Sequence, residues 1–248
     1  MKSNYNKKYS SNNIIVYIDF DGTITLKDIG DELFKHFGEF ELYHNQLVEK
    51  KITISQYLKS VCYSIKNDTT LFDISKYCEN AEIDSNFVTF VNYCNNNNIE
   101  IYIISDGFDV YINSILKKNN LDFIKYYSNK LQKSNNGMDL ELVLNYRNEA
   151  CSCQTALCKR NVVLSNTEDD TIIVYIGDGV SDYCVSEYAD IVFAKKKLAA
   201  YCNEYNVPHY PFDNFFDIYI TFQKIYEQKK YKIRHQARLS RKKAFEVE

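Results

Sequence analysis

Three short apolar runs punctuate the chain, at residues 14–18, 99–104 and 172–176. Each is rich in β-branched and aromatic residues and shows little polar alternation. That is the pattern of strands buried on both faces in a parallel sheet. A fourth candidate strand lies at 191–194. Helical periodicity separates the runs at 87–95, 110–118, 157–164 and 185–188. Strands alternating with helices predict an α/β core, a doubly wound Rossmann-like parallel sheet.

Two inserts interrupt this alternation. Residues 27–80 read as helical throughout, with apolar positions at helical spacing over 31–37 and 42–48. Thr53 is placed to cap a helix over 54–65, and Thr70 to cap another running through Cys78. A small all-helical cap over the core is expected. In the second insert, residues 127–146, Leu140, Leu142 and Leu144 alternate with other residues just after Asn136-Gly137, which predicts a β-hairpin. The expected organisation is a core of 14–26 and 81–225, a helical cap of 27–80, and terminal extensions of 1–13 and 226–248. The basic stretch 229–243 reads as a solvated helix end.

Composition narrows the partners. A length of 248 residues and a hydrophobic content of 45% suffice for one core with an insert. The net charge of -3 exerts no global pull on nucleic acid or anionic membrane, so neither is expected as a partner and any phosphate must be held locally. Residues 1–13 are polar, and the longest apolar runs are strand-sized. A cytoplasmic protein, monomer or homodimer, is expected, with its eight cysteines as reduced thiols. Cys62, Cys78, Cys94, Cys184 and Cys202 read as small core hydrophobes. Cys151, Cys153 and Cys158 could hold zinc if a fourth ligand joined them. No second cysteine pair or nearby histidine follows, so they are expected to be reduced thiols flanking a loop.

The candidate chemistry lies where the apolar runs end. The first is followed by Asp19 and Asp21, the second by Ser105-Asp106-Gly107, the third by Gly177-Asp178-Gly179-Val180-Ser181-Asp182. Sites in open α/β sheets form outside the carboxyl ends of the strands, at a topological switch point. Asp19, Asp21, Asp178 and Asp182 would bring four carboxylates together, and like charges that close require a compensating cation. A hard ion with oxygen ligands such as Mg²⁺ suits them. Ser105 and backbone N–H groups can donate to phosphate oxygens, and Lys159, opening a predicted helix, supplies positive charge. Each residue also has a structural alternative: Ser105 as a helix N-cap, Lys159-Arg160 as a solvated pair, Asp28 as a surface acid.

These segments, in this order, resemble the four motifs of the haloacid dehalogenase superfamily of phosphohydrolases: Asp19-Phe20-Asp21-Gly22-Thr23, Ser105, Lys159, and Gly177 through Asp182. A helical insert between the first and second motifs resembles the phosphoserine phosphatase-like subfamily. Thr23-Ile24-Thr25, Cys158-Lys159-Arg160 and Ala189-Asp190-Ile191-Val192-Phe193-Ala194 are most similar to the branch containing the methionine-salvage phosphatase. The resemblance implies Asp19 as nucleophile and Asp21 as general acid and base. It implies Mg²⁺ on Asp19, the Asp21 carbonyl and Asp178, with Asp182 a ligand through water or an orienter of Lys159. Ser105, the Asp106 N–H and Lys159 would hold the phosphate, and Asp28 would touch the substrate from the cap. The expected activity is hydrolysis of a small phosphorylated metabolite. Alternatives are an amino-acid phosphatase such as phosphoserine phosphatase, and a phosphate-binding regulator without turnover.

Overall fold

The computed structural model describes residues 13–134, 140–146, 151–153 and 155–246. Strand β1 (Ile14–Ile18) enters the centre of the sheet, and the chain then builds helices α1 (Ile29–Phe37), α2 (Phe40–Val48), α3 (Ile54–Tyr63) and α4 (Leu71–Cys78). It continues through α5 (Phe87–Asn96), β2 (Glu100–Phe108), α6 (Asp109–Lys118), β3 (Lys125–Lys133) and β4 (Leu140–Val143). Then follow α7 (Lys159–Ser165), β5 (Ile172–Gly177), α8 (Tyr183–Ser186), β6 (Ile191–Ala194), α9 (Lys196–Glu204), β7 (Tyr210–Pro211), α10 (Phe215–Glu227) and α11 (His235–Glu246).

The sheet has seven strands in the order β4-β3-β2-β1-β5-β6-β7. All neighbouring pairs are parallel except β3 with β4. The strands lack polar alternation because both faces are covered. Val16, Ile18, Val174 and Ile176 pack on one side with Phe87 and Phe90 of α5 and Phe215 and Phe222 of α10. Tyr17, Ile173 and Tyr175 pack on the other with Val162 and Val163 of α7 and Leu198 of α9. The order reverses at β1, whose neighbours β2 and β5 are far from each other in sequence, so the carboxyl ends of β1 and β5 open onto the switch-point crevice.

The α1–α4 segment contains no strand. Thr53 and Thr70 cap α3 and α4 as expected, each in a reciprocal capping box, with Gln56 and Asp73 respectively. Where the chain leaves and re-enters the core, Thr25 and Ile83 form an antiparallel bridge. The hairpin strands β3 and β4 pair antiparallel, Lys130 opposite Val143; the Asn136-Gly137 turn lies outside the described residues.

Two elements differ from expectation. Strand β2 runs through Ser105-Asp106-Gly107 to Phe108, so Ser105 is not a helix cap; Phe108 occupies that place for α6. The basic tail is docked rather than solvated. The Arg234 guanidinium donates to the backbone carbonyls of Ser186, Glu187 and Ala189, and Arg241 pairs with the Asp190 carboxylate at 3.1 Å. Charge density alone cannot distinguish an arginine that solvates a helix from one that ties off the end of a buried segment. Among the described residues no helix is long and apolar enough to cross a membrane.

Candidate active site

Asp19 follows β1 directly, and its N–H extends the β1–β5 ladder by donating to the Ile176 carbonyl at 2.9 Å. The residue is 5% exposed, and the ammonium of Lys159, itself 1% exposed, donates to Asp19 Oδ1 at 2.5 Å. The same ammonium reaches Asp182 Oδ1 at 2.6 Å. Lys159 therefore bridges two buried carboxylates, and it can do so because it is the first residue of α7 beneath the ends of β1 and β5. Burial, followed by the neighbouring Asp182 charge, pushes the Asp19 carboxyl well above the usual range, while Lys159 opposes the shift.

Asp182 is fully buried and all its hydrogen-bonding capacity is engaged. Oδ2 accepts from the backbone N–H of Asp178 and of Gly179, both at 2.9 Å. Oδ1 accepts from Lys159 and, at 2.5 Å, from the Tyr175 hydroxyl. This carboxylate shapes the turn after β5 and aims Lys159. Asp178 is differently placed: Thr23 Oγ1 donates to its Oδ1 at 3.2 Å and to Asp19 Oδ2 at 3.3 Å, linking the two. Oxygens of Asp19, Asp178 and Asp182 all lie within 4.8 Å of one another. A set of hard oxygen donors at this spacing, with only a weak hydroxyl contact on Asp19 Oδ2 and Asp178 Oδ1, fits a divalent cation such as Mg²⁺. Gly22 makes the approach possible. Its φ is +72°, and a Cβ there would stand 2.8 Å from Asp178 Oδ2.

Asp21 faces the same crevice from the next turn. Its Oδ1 accepts from the Ile29 N–H at 3.0 Å, and its Oδ2 from the Ser105 hydroxyl at 3.0 Å and the Tyr111 hydroxyl at 2.7 Å. Burial first, then the Asp28 charge, lift its carboxyl to about 7 despite these three donors. Gly107 makes room, since a Cβ there would collide with the Tyr111 hydroxyl. The Asp106 carboxylate accepts from the Ala156 and Leu157 N–H groups, both at 3.3 Å, and so holds the approach to α7.

Asp19, Asp21, Asp106 and Asp178 line a cavity of about 460 Å³ between the sheet edge and α1–α3. Asp28 also lines it, but one of its oxygens is used as the N-cap of α1, accepting from the Asp31 N–H at 2.9 Å. The far wall is apolar, with Phe34, Leu47, Ile54 and Leu58. Ser105 and Lys159 donate to Asp21 and Asp19, which line the cavity.

Sequence reasoning missed several participants. Tyr111 falls in the predicted helix 110–118 and Tyr175 in the apolar run 172–176, and only the fold aims their hydroxyls at Asp21 and Asp182. Asp31 joins Asp28 on the cavity wall. Lys196 Nζ sits 2.8 Å from Asp178 Oδ2, on a residue whose φ of 46° is unfavourable for a side chain with a Cβ. Its signal was present, a Lys195-Lys196-Lys197 run immediately after β6 at the same sheet edge.

Residues 14–204 match the model of the family described as Putative Phosphatase. A protein of Bacillus cytotoxicus named 2-hydroxy-3-keto-5-methylthiopentenyl-1-phosphate phosphatase is 30% identical over 232 residues, covering 87% of this chain and 99% of the relative. A solved structure titled as a phospho-aspartyl intermediate analogue of phosphoserine phosphatase superposes with a TM-score of 0.57 at 19% identity, over 77% of this chain and 91% of that one. A haloacid dehalogenase family hydrolase from Salmonella enterica superposes with a TM-score of 0.62 at 20% identity, over 82% and 69%. The two superpositions show the shared fold. With the family match covering most of the chain and a named phosphatase 30% identical over 87% of it, the chain belongs to the Putative Phosphatase family and is a phosphatase.

Proposed function

We propose that the chain is a magnesium-dependent phosphomonoesterase that hydrolyses a small phosphorylated metabolite through an aspartyl-phosphate on Asp19. The observation that carries this reading is the Lys159 ammonium locked between Asp19 and Asp182, with Asp19 on the cavity wall and Asp21 held near neutrality beside it. An Asp19 oxygen attacks phosphorus as the bond to the leaving oxygen breaks, and Asp21 gives that oxygen its proton. Asp21 then takes a proton from the water that opens the acyl phosphate, releasing inorganic phosphate and restoring Asp19. Lys159 keeps the nucleophile ionised, and with Ser105 and the Asp106 N–H it offsets charge on the phosphoryl oxygens. Asp19, Asp178 and the Asp21 carbonyl would hold Mg²⁺, which when bound would supply positive charge to offset that of a dianionic ester approaching a carboxylate. Asp182, its lone pairs committed, orients Lys159 rather than binding the ion.

The acid role of Asp21 has a testable sign. Tyr111 donates to the ionised carboxylate and so lowers its pKa. Tyr111→Phe removes that donor, the pKa rises, and Asp21 stays protonated to higher pH. The alkaline limb of kcat/KM, which reports formation of the phosphoenzyme, is expected to move upward by up to about one pH unit. A limb that moves downward, or not at all, removes Asp21 from that role.

For the substrate, the apolar wall of Phe34, Leu47, Ile54 and Leu58 suits a tail such as a methylthio-alkyl group opposite the phosphate. The Bacillus relatives are named for an ester of that kind. Asp28 and Asp31 on the same cavity favour a second reading, an amino-acid phosphate whose ammonium they would meet. A panel of phosphate esters with Mg²⁺ separates them. The methylthio-ketose phosphate is expected to exceed phosphoserine by at least about tenfold in kcat/KM. The reverse preference establishes the second reading. Turnover of any ester dismisses a non-catalytic regulator.

A further inference from the structure

Cys151 and Cys153, in the loop before α7, and Cys158, its N-cap, lie with their sulfurs within 4.8 Å of one another. The fold adds a partner that is remote in sequence. Cys184, in α8, sits with its sulfur 3.5 Å from that of Cys151. Cys153 is in hydrogen-bonding contact with both Cys158 and Cys184, which drives its thiol far down and theirs up. A sulfur separation of 3.5 Å is far beyond a disulfide bond of about 2.05 Å. For this pair it is close to the roughly 3.8 Å edge of a tetrahedron whose metal–sulfur bonds are about 2.3 Å, while Cys184 stands outside the set of three sulfurs that lie within 4.8 Å of one another and would close in on them as metal binds.

The surroundings point the same way. Arg160, 9% exposed, follows two residues after Cys158, and its buried Nε has no hydrogen-bond partner among the described residues. Its electrostatic partners are Tyr188 and the sulfurs of Cys151 and Cys184. A buried guanidinium needs a counter-charge. Four thiolates around a dication carry a net double negative charge and would supply it.

We propose that Cys151, Cys153, Cys158 and Cys184 bind a structural zinc ion that ties the segment before α7 to the start of α8. Four thiols lose their protons as zinc binds, with no change of oxidation state. The clip joins the two segments that meet at the active site, because Cys158 precedes Lys159 and Cys184 follows Asp182 by two residues. It thereby holds in place the Lys159–Asp182 pair, whose atoms are 2.6 Å apart.

The test is elemental analysis of the full-length protein purified with reductant, together with the absorption spectrum after cobalt replacement. About one zinc per chain is expected, with the thiolate charge-transfer and intense visible bands of a tetrahedral sulfur site in the cobalt form. Zinc is expected to protect four thiols from a chromogenic disulfide reagent, and its removal by chelator to lower the Tm by about 10 °C. Cys184→Ser and Cys151→Ser should lose the metal; Asp178→Asn and Cys202→Ala should keep it. Should a serine variant fail to fold, the cobalt spectrum and thiol protection of the unaltered protein decide the matter. The proposal is overturned if the reduced protein takes up no zinc, if thiol reactivity is unchanged by zinc, if the cobalt form lacks sulfur charge transfer, or if zinc is lost with Asp178 rather than with Cys184.

Discussion

Asp19→Asn is expected to abolish turnover of p-nitrophenyl phosphate, lowering kcat by roughly 10⁴-fold or more, the scale on which loss of a nucleophile is felt. The change exchanges one oxygen for nitrogen, so packing at this buried position is kept. An amide does not displace an alkoxide from phosphorus, and no acyl phosphate can form on it. The remaining oxygen can still accept from Lys159, so the fold should survive. Removing the negative charge also relieves the repulsion that Asp19 feels from Asp182 and Asp178. The variant should therefore unfold at a temperature equal to or above that of the parent. Folded protein with parental turnover would sink the mechanism; inactive but unfolded protein would move the role of Asp19 to stability.

Lys159→Met should damage both activity and stability. The ammonium is 1% exposed and serves Asp19 and Asp182 together. Breaking a buried pair by removing one partner typically costs about 3–5 kcal/mol, because the other charge stays buried without compensation. For a chain of this size that corresponds to a fall in Tm of about 10 °C. The sign with pH is distinctive. In the parent the surrounding carboxylates raise the Lys159 pKa, so its contribution is complete below the unfolded lysine value and fades only in strong alkali. In the variant the Asp19 carboxyl, already raised by burial, loses the ammonium that holds it down, so it destabilises the chain when ionised and ceases to do so once protonated. The difference in Tm between parent and variant should be large at pH 8 and narrow as pH falls toward 5. A gap that is constant across that range would mean that lost packing, not stranded charge, accounts for the effect. Lys159→Arg, too bulky for the enclosed bridge between Asp19 and Asp182, is not expected to restore turnover.

The sequence was informative wherever the relevant information was local. Residues 14–18 and 172–176 lack alternation because helices cover both sheet faces, and that doubly wound fold was legible from their composition. Thr53 and Thr70 were legible as caps because capping is a contact between residues three apart. Asp19, Asp21, Asp178 and Asp182 were legible as a group because each stands at or just beyond a strand's carboxyl end. A parallel sheet carries all such ends to one edge.

What required the tertiary structure was every contact between distant segments. Sequence could not show that Asp182 accepts from four donors drawn from separate segments, Lys159, the Tyr175 hydroxyl and the N–H groups of Asp178 and Gly179. Tyr111 carries no local mark of function, since a phenol acquires a role only from the carboxylate it is brought against. The basic tail looked solvated because nothing near it in sequence reveals that Asp190 awaits Arg241. The cysteines show the same limit most plainly. Three of them stand within eight residues and could be read as a metal-binding fragment, but the fourth thiol lies on the far side of β5. Local patterning determined the layers and the polar sheet edge, because backbone geometry repeats over a few residues. The protonation, pairing and metal chemistry of that edge depend on through-space distances of a few ångströms, and only the packing of the whole chain sets those.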